Sequence, residues 1–380
     1  MGTSSWLASS DSNRRAARTR RRRIIAGVAG LGIVVALLGA CADATVIPGG
    51  TAPASDGPSP LVSILGATAS PASIESTSAA PSIAASSSPA GSSTPNPPAS
   101  SPAGTPVPAL GATVTIVAAG DIACDPAHNV GTPKDCDQAA TADLIGQLNP
   151  TAVLALGDLQ YENGTPAAYQ AVFAPTWGKY RSIMYPAIGN HEYLTKGAAG
   201  YFSYFGVPAY YSFDLGSWHL ISLDSECSYV GGCQPGSAQE VWLKADLAAH
   251  HSRCTLVYWH EPRWSSGEHQ DATQMTTIWA DLAAAHVSVV LTGHNHDYER
   301  FVPLDANGKP DASGPTEFVV GTGGKNHYGF SVPPLTGEVI RNDTSFGVVD
   351  MTLAPTAFSW HFVDAPGYTF HDAGAADCVG

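Results

Sequence analysis

The sequence predicts an α/β domain, a two-sheet β-sandwich flanked by helices, preceded by a signal segment and a disordered linker. Three observations carry this. Short apolar runs of strand type alternate with helix-period segments from Thr113 to about Glu317. Beyond Glu317 the pattern holds strands alone. Upstream of residue 111 the composition cannot supply a packed core.

Residues 1–41 carry seven Arg against the single acid Asp11, a local balance of +6 within a chain whose formal net charge is -14. Arg14, Arg15, Arg18 and Arg20 to Arg23 precede an uncharged apolar stretch of 17 residues, Ile24 to Ala40. This order is that of an export signal, and the stretch falls short of the roughly 20 residues that span a bilayer comfortably. It ends in Leu38-Gly39-Ala40-Cys41, which resembles the lipobox of bacterial lipoproteins. Two readings follow, a lipoprotein signal peptide cleaved before Cys41 or an uncleaved membrane anchor. Either one places the rest outside the cytoplasm, anchored to the outer face of the membrane by the N-terminus or secreted.

Residues 42–110 contain no Lys, Arg or aromatic side chain, and 13 Pro are spread among Ser, Ala, Thr and Gly. Such a segment buries too little apolar surface to offset its ordering entropy and reads as a disordered tether. A single catalytic domain is expected over residues 111–380. Its predicted strands are Thr113 to Ala119, Ala152 to Leu156, Ile183 to Ile188, His219 to Leu223, Thr255 to Trp259 and Val287 to Leu291. Helical patterns cover Gln138 to Leu148, Ala238 to Ala249 and Ala272 to His286. Phe318 to Val320, Phe346 to Leu353 and Ala357 to Val363 then suggest a second, largely antiparallel sheet facing the first.

Setting Cys41 aside leaves six cysteines, an even number that suggests disulfides in an exported chain. Short loops favour Cys124 with Cys136 and Cys227 with Cys233 among the possible connectivities, and Cys254 with Cys378 would remain. The acidic main body argues against nucleic-acid binding, which needs a basic face. Small phosphorylated substrates stay open, because metal ions can supply positive charge locally.

Potential metal ligands fall where the predicted strands end. Asp121 follows the first strand, Asp158 and Tyr161 the second, Asn190 and His191 the third, His260 the Thr255 strand, and His294 and His296 the Val287 strand. In an open α/β sheet the carboxyl ends of the strands converge on one rim, so these residues become neighbours. Taken singly, an Asp, Asn or His after a strand is ordinarily a turn or loop residue. That explanation would have to be invoked independently five times, in order.

The motifs Gly157-Asp158-x-x-Tyr161, Gly189-Asn190-His191-Glu192, Val257-x-x-His260 and Gly293-His294-x-His296 together resemble the purple acid phosphatases, a branch of the calcineurin-like metallophosphoesterases. The flanks His294-Asn295-His296-Asp297-Tyr298-Glu299-Arg300 and Tyr211-Ser212-Phe213-Asp214 are similar to that family as well. The resemblance implies the αββα metallophosphoesterase fold and a dinuclear-metal phosphohydrolase, foremost an acid-phosphatase-type phosphomonoesterase acting on phosphate esters through a metal-bridging hydroxide. A phosphodiesterase or nucleotide hydrolase on the same site, or an inactive surface-anchored binding protein, are the alternatives. It implies Asp121, Asp158, Tyr161 and His296 around a first metal and Asp158, Asn190, His260 and His294 around a second. Phenolate and carboxylate donors suit Fe(III) in the first site; imidazole mixed with oxygen suits Zn, Fe(II) or Mn in the second. His191 is the candidate general acid, and His269 the candidate substrate-binding His. The chain departs from the family pattern at Asp121-Ile122-Ala123, where Ala123 stands for the usual Gly or His. Ala cannot bind metal, so Tyr161 has to fill that role.

Overall fold

The computed structural model describes residues 111–127, 136–250, 252 and 254–380. The signal segment, Cys41 and the tether lie outside the described residues. No helix among the described residues is long and apolar enough to cross a membrane.

Among the described residues thirteen strands form two mixed sheets. They are β1 (Val114–Ala119), β2 (Ala152–Leu156), β3 (Met184–Ala187), β4 (Tyr211–Leu215), β5 (Trp218–Ser222), β6 (Cys254–Tyr258), β7 (Val289–Thr292), β8 (Tyr298–Phe301), β9 (Thr316–Val320), β10 (Glu338–Asn342), β11 (Gly347–Leu353), β12 (Ala357–Asp364) and β13 (Ala373–Asp377). One sheet runs β13-β12-β11-β1-β2-β3 and the other β10-β8-β9-β7-β6-β5-β4. Within them β1-β2-β3 and β5-β6-β7-β9 are parallel. Strands such as β2 (AVLAL) and β6 (CTLVY) are buried along their whole length, as continuous apolar runs covered on both faces should be. Val117, Leu154, Leu256, Val289 and Met351, drawn from both sheets, belong to one contiguous core.

The helices Gln138–Leu148 and Ala238–Ala249 match their sequence patterns. The third pattern splits into a 3₁₀ turn, Thr273–Met275, followed by an α-helix, Thr276–Ala284. The expected division of the sheets needs correction. The C-terminal strands do not build a sheet of their own: β9 pairs parallel with β7, whereas β11 pairs antiparallel with β1 and extends the N-terminal sheet. Local sequence reports that a segment is a strand, but pairing is decided by the other sheet's geometry. The three disulfides join Cys124 with Cys136, Cys227 with Cys233 and Cys254 with Cys378.

The β4–β5 hairpin is locked to the Ala238–Ala249 helix by His219, which is 1% exposed. Its Nδ1 lies 2.8 Å from Asp214 Oδ1 and its Nε2 2.8 Å from Asp246 Oδ2. Both nitrogens face carboxylates, which only the doubly protonated ring can satisfy as donor. Burial opposes that charge, yet the two carboxylates raise the His219 pKa. Asp214, His219 and His250 are also close enough to suggest a metal group. The His219 and His250 rings, however, are stacked 4.0 Å apart at 12°. Lone pairs lie in the ring planes, so two offset parallel rings cannot aim at one ion, and the cluster is an ion-pair latch.

The latch sets a pH window. His219, raised from an ordinary 6.5, stabilises the fold fully below that value and loses the contribution as pH climbs through its folded pKa. Asp246 is half-buried, which alone would raise it, but His219 holds it below its ordinary 3.8, so it contributes above that value. We expect His219→Gln to cost on the order of 1–3 kcal/mol. The deficit in melting temperature should be largest near pH 5 and shrink toward alkaline pH; a deficit independent of pH would show that packing, not charge, holds the hairpin.

Candidate metal centre

The carboxyl ends of β1, β2, β3, β6 and β7 deliver Asp121, Asp158, Asn190, His260 and the His294–His296 pair to one place. Asp121, Asp158 and His294 have φ of 58°, 49° and 68°, the left-handed region that reverses a chain sharply after a strand. Asp and His are among the side chains that adopt it most readily. Two glycines are demanded by close approach. A Cβ on Gly157 would stand 2.6 Å from the His260 ring, and one on Gly189 would stand 2.3 Å from Asp158 Oδ1. Ala123 is accommodated: it is fully buried, and its carbonyl accepts from the Tyr161 N–H at 2.8 Å.

The donors form two overlapping groups. The Tyr161 hydroxyl lies 2.8 Å from Asp121 Oδ1, 3.0 Å from Asp158 Oδ2 and 2.9 Å from His296 Nε2. His260 Nε2 lies 3.1 Å from Asn190 Oδ1, 3.3 Å from Asp158 Oδ2 and 3.3 Å from His294 Nδ1. Asp158 Oδ2 therefore belongs to both. Asp158, His260 and His294 offer atoms within 4.8 Å of one another, a spacing at which one cation could be held. His260 Nδ1 is 2.9 Å from the Leu156 carbonyl and His296 Nδ1 is 2.6 Å from that of Asn326. A carbonyl can only accept, so each Nδ1 carries a proton and each Nε2 is the ring atom left facing the donor cluster.

Electrostatics fits a cation-binding set. Burial would raise the Asp158 pKa, but the charge of the adjacent His260 holds it well below the carboxylate range. His294 is pushed down to about 3 by burial and by His260, so it stands as a neutral ring. The Tyr161 phenol is raised by burial and by the adjacent Asp121 and Asp158. That proton is what a metal ion would displace, since ligands bind deprotonated.

Glu192 closes the Gly189-Asn190-His191-Glu192 motif, and its role is visible only in the fold. It is wholly buried and accepts from the N–H groups of Asp158 (3.0 Å), Leu159 (2.9 Å), Gln160 (3.3 Å) and Gly189 (2.9 Å), and from the Tyr169 hydroxyl (3.1 Å). It thus ties the loop after β2 to the loop after β3.

His191 lies at the edge of the cleft, with Nδ1 2.6 Å from the Glu162 carbonyl and Nε2 3.8 Å from Asp158 Oδ2. The His269 ring is 4.5 Å from that of His294, and burial, with His296 beside it, lowers its pKa. Two neighbours are not legible in the sequence motifs. Tyr328 stacks on His296 at 4.1 Å, and Lys325 sits over the Tyr161 ring at 4.7 Å while pairing with Glu162. The signal that could have found Tyr328 and Lys325 is the Gly-rich run Gly321-Thr322-Gly323-Gly324 directly after β9, another strand end on the same rim.

Glu192→Ala should leave four backbone N–H groups without their acceptor. Each buried unsatisfied group costs about 1–3 kcal/mol, and loss of a residue that orients ligands typically weakens metal binding about 10- to 100-fold. Calorimetric unfolding and metal titration of the variant would register both; unaltered metal affinity would mean that the two loops hold their shape without the carboxylate.

The calcineurin-like phosphoesterase family model matches residues 114–298. Purple acid phosphatase 18 of Arabidopsis thaliana is 28% identical over 258 residues, 58% of this chain and 56% of that protein. Probable inactive purple acid phosphatase 9 of the same plant is 25% identical over 288 residues, 60% of this chain and 44% of that one. The chain thus spans about half the length of the curated relatives it matches. Among solved structures, purple acid phosphatase PPD1 from yellow lupin (Lupinus luteus) seeds superposes with a TM-score of 0.59 at 20% identity, over 71% of this chain and 55% of that one, a likeness of fold. Residues 114–298 therefore resemble the calcineurin-like phosphoesterases, and the chain is similar to purple acid phosphatases.

Proposed function

We propose that the protein is an exported dinuclear-metal phosphohydrolase, an acid-phosphatase-type phosphomonoesterase. The observation that carries this reading is the sharing of Asp158 Oδ2 between the Tyr161 group and the His260 group. Asp121, Asp158, Tyr161 and His296 would hold Fe(III), and Asp158, Asn190, His260 and His294 would hold Zn, Fe(II) or Mn. When bound, the pair supplies positive charge for the phosphate and a nucleophile from water.

The chain's own residues do the remaining work. His191 donates from Nδ1 to the Glu162 carbonyl, which leaves Nε2 as the atom that gives a proton to the departing alkoxide. His269, beside His294, binds the phosphate end of the substrate. Arg263 contributes elsewhere: it lies over the Trp264 ring at 3.7 Å and faces Asp271 at 3.6 Å. The N-terminal Arg run and the three disulfides support export, since disulfides persist in oxidising compartments. Cys41 is the proposed point of lipid attachment, with an uncleaved anchor as the other route to the outer face of the membrane.

The test is hydrolysis of p-nitrophenyl phosphate against bis-p-nitrophenyl phosphate by purified protein. Activity should favour the monoester, disappear on chelation and return with iron plus zinc or manganese. Iron-loaded protein should absorb in the visible range, and Tyr161→Phe should bleach or strongly shift that band. Activity that survives complete metal removal would end the dinuclear reading, and a preference for the diester would reassign the reaction.

His191→Ala should slow hydrolysis of alkyl phosphates by about 10²- to 10⁴-fold, the usual value of a general acid. p-Nitrophenyl phosphate should lose far less, because p-nitrophenolate leaves without a proton. Metal content should stay near normal. Equal losses on both esters would give His191 a role in positioning phosphate instead.

A further inference from the structure

We propose that Tyr229, backed by Tyr193, is a stacking platform for a planar ring in the leaving group of the substrate. The proposal rests on the phosphohydrolase reading above and adds a specificity element to it.

The platform is built into the rim of the cleft. Tyr193 ends the short helix Asn190–Tyr193, and residues three apart on a helix are neighbours, with Cβ atoms about 5–6 Å apart. Tyr193 is therefore one helical turn from Asn190. Its hydroxyl donates to Asp224 Oδ2 at 2.6 Å, which fixes the ring. The Tyr229 ring lies parallel to it, with centroids 3.8 Å apart and planes at 8°. Tyr229 is nevertheless 57% exposed. With one face covered by Tyr193, the other face is open to solvent.

Tyr229 is also held in place before any ligand arrives. The Cys227–Cys233 disulfide closes its loop, and the Tyr229 N–H donates to the Glu226 carbonyl at 2.8 Å. A ring already ordered costs little further entropy when something stacks on it. The loop follows the carboxyl end of β5 and is stitched to the neighbouring loop of the metal centre, since the Glu261 N–H donates to Ser225 Oγ at 3.0 Å. Glu261 directly follows His260.

Charge narrows the occupant. Asp224, Glu226 and Glu261 all carry carboxyls, so none supplies positive charge for a second phosphate. The fitting ligand is a phosphomonoester whose leaving group carries a neutral planar ring. A nucleoside monophosphate has that chemistry.

Adenosine 5′-monophosphate and ribose 5-phosphate share the reacting end and differ by the ring, so they isolate the platform. The full protein should hydrolyse the nucleotide with the higher kcat/KM. Tyr229→Ala should lower kcat/KM for the nucleotide about ten-fold, mainly through KM, as removal of a base-stacking side chain generally does. Ribose 5-phosphate should change less than two-fold, and Tyr229→Phe should keep the preference. If the wild-type protein handles both esters equally, or Tyr229→Ala slows both alike, the platform is refuted while the phosphohydrolase stands. If neither ester nor p-nitrophenyl phosphate is hydrolysed by metal-loaded protein, the phosphohydrolase reading itself fails and the platform falls with it.

Discussion

The Glu192 carboxylate receives the backbone N–H groups of Asp158, Leu159, Gln160 and Gly189, and so fixes two loops that are distant in sequence. The carbonyls of Gly157, Asp158 and Leu159 accept from the N–H groups of Asp121, Ile122 and Ala123, and Asp158 turns through positive φ. Without an internal acceptor the N–H groups of the two loops would be buried unpaired. The carboxyl also senses the site: burial and the nearby Asp158 charge raise it to about 7. A cation bound at Asp158 would remove the repulsive part of that shift. Metal binding and the ionised form of Glu192 therefore favour each other, and the loops are firmest when the site is filled.

The two sheets contribute different chemistry. The sheet holding β1, β2 and β3 delivers Asp121, Asp158, Tyr161 and Asn190, all oxygen donors, whereas the sheet holding β6 and β7 delivers His260, His294 and His296. A mixed oxygen and imidazole centre can exist only while the sheets stay packed. The shared core does this, and the Cys254–Cys378 disulfide adds a covalent tie between β6 of one sheet and the residue following β13 of the other. Disulfide formation thus bears on the geometry of the site as well as on stability.

How much of this was legible in the sequence follows from the range of each interaction. Asp121, Asp158, Asn190, His260 and His294 could be found because a polar ligand type directly after an apolar strand is a local pattern, and parallel strands carry such ends to one rim. The pairing of β9 with β7 could not, because which strand adjoins which depends on the whole sheet. Glu192 lay within a recognisable motif, but its importance resides in backbone donors more than 30 residues away. Tyr328 and Lys325 follow a Gly-rich turn that carries no hydrophobic period, so nothing local aims them at His296 and Tyr161. His219 looked like one more polar residue in a strand until Asp214 and Asp246 closed on both of its nitrogens.

Charge ties the composition to the site. A chain of formal net charge -14 repels an anionic substrate unless positive charge is gathered locally. Lys325 reaches the cleft but is committed to Glu162, and Arg263 to Asp271 and the Trp264 ring. His294 is kept neutral by burial and by His260. Neutral imidazoles make poor phosphate anchors but good metal ligands, and carboxylates repel phosphate until a cation covers them. The same side chains that would exclude a phosphate ester from the bare site are those that would admit it to the loaded one. Substrate affinity in this protein is therefore expected to follow metal occupancy more closely than it follows any single side-chain cation.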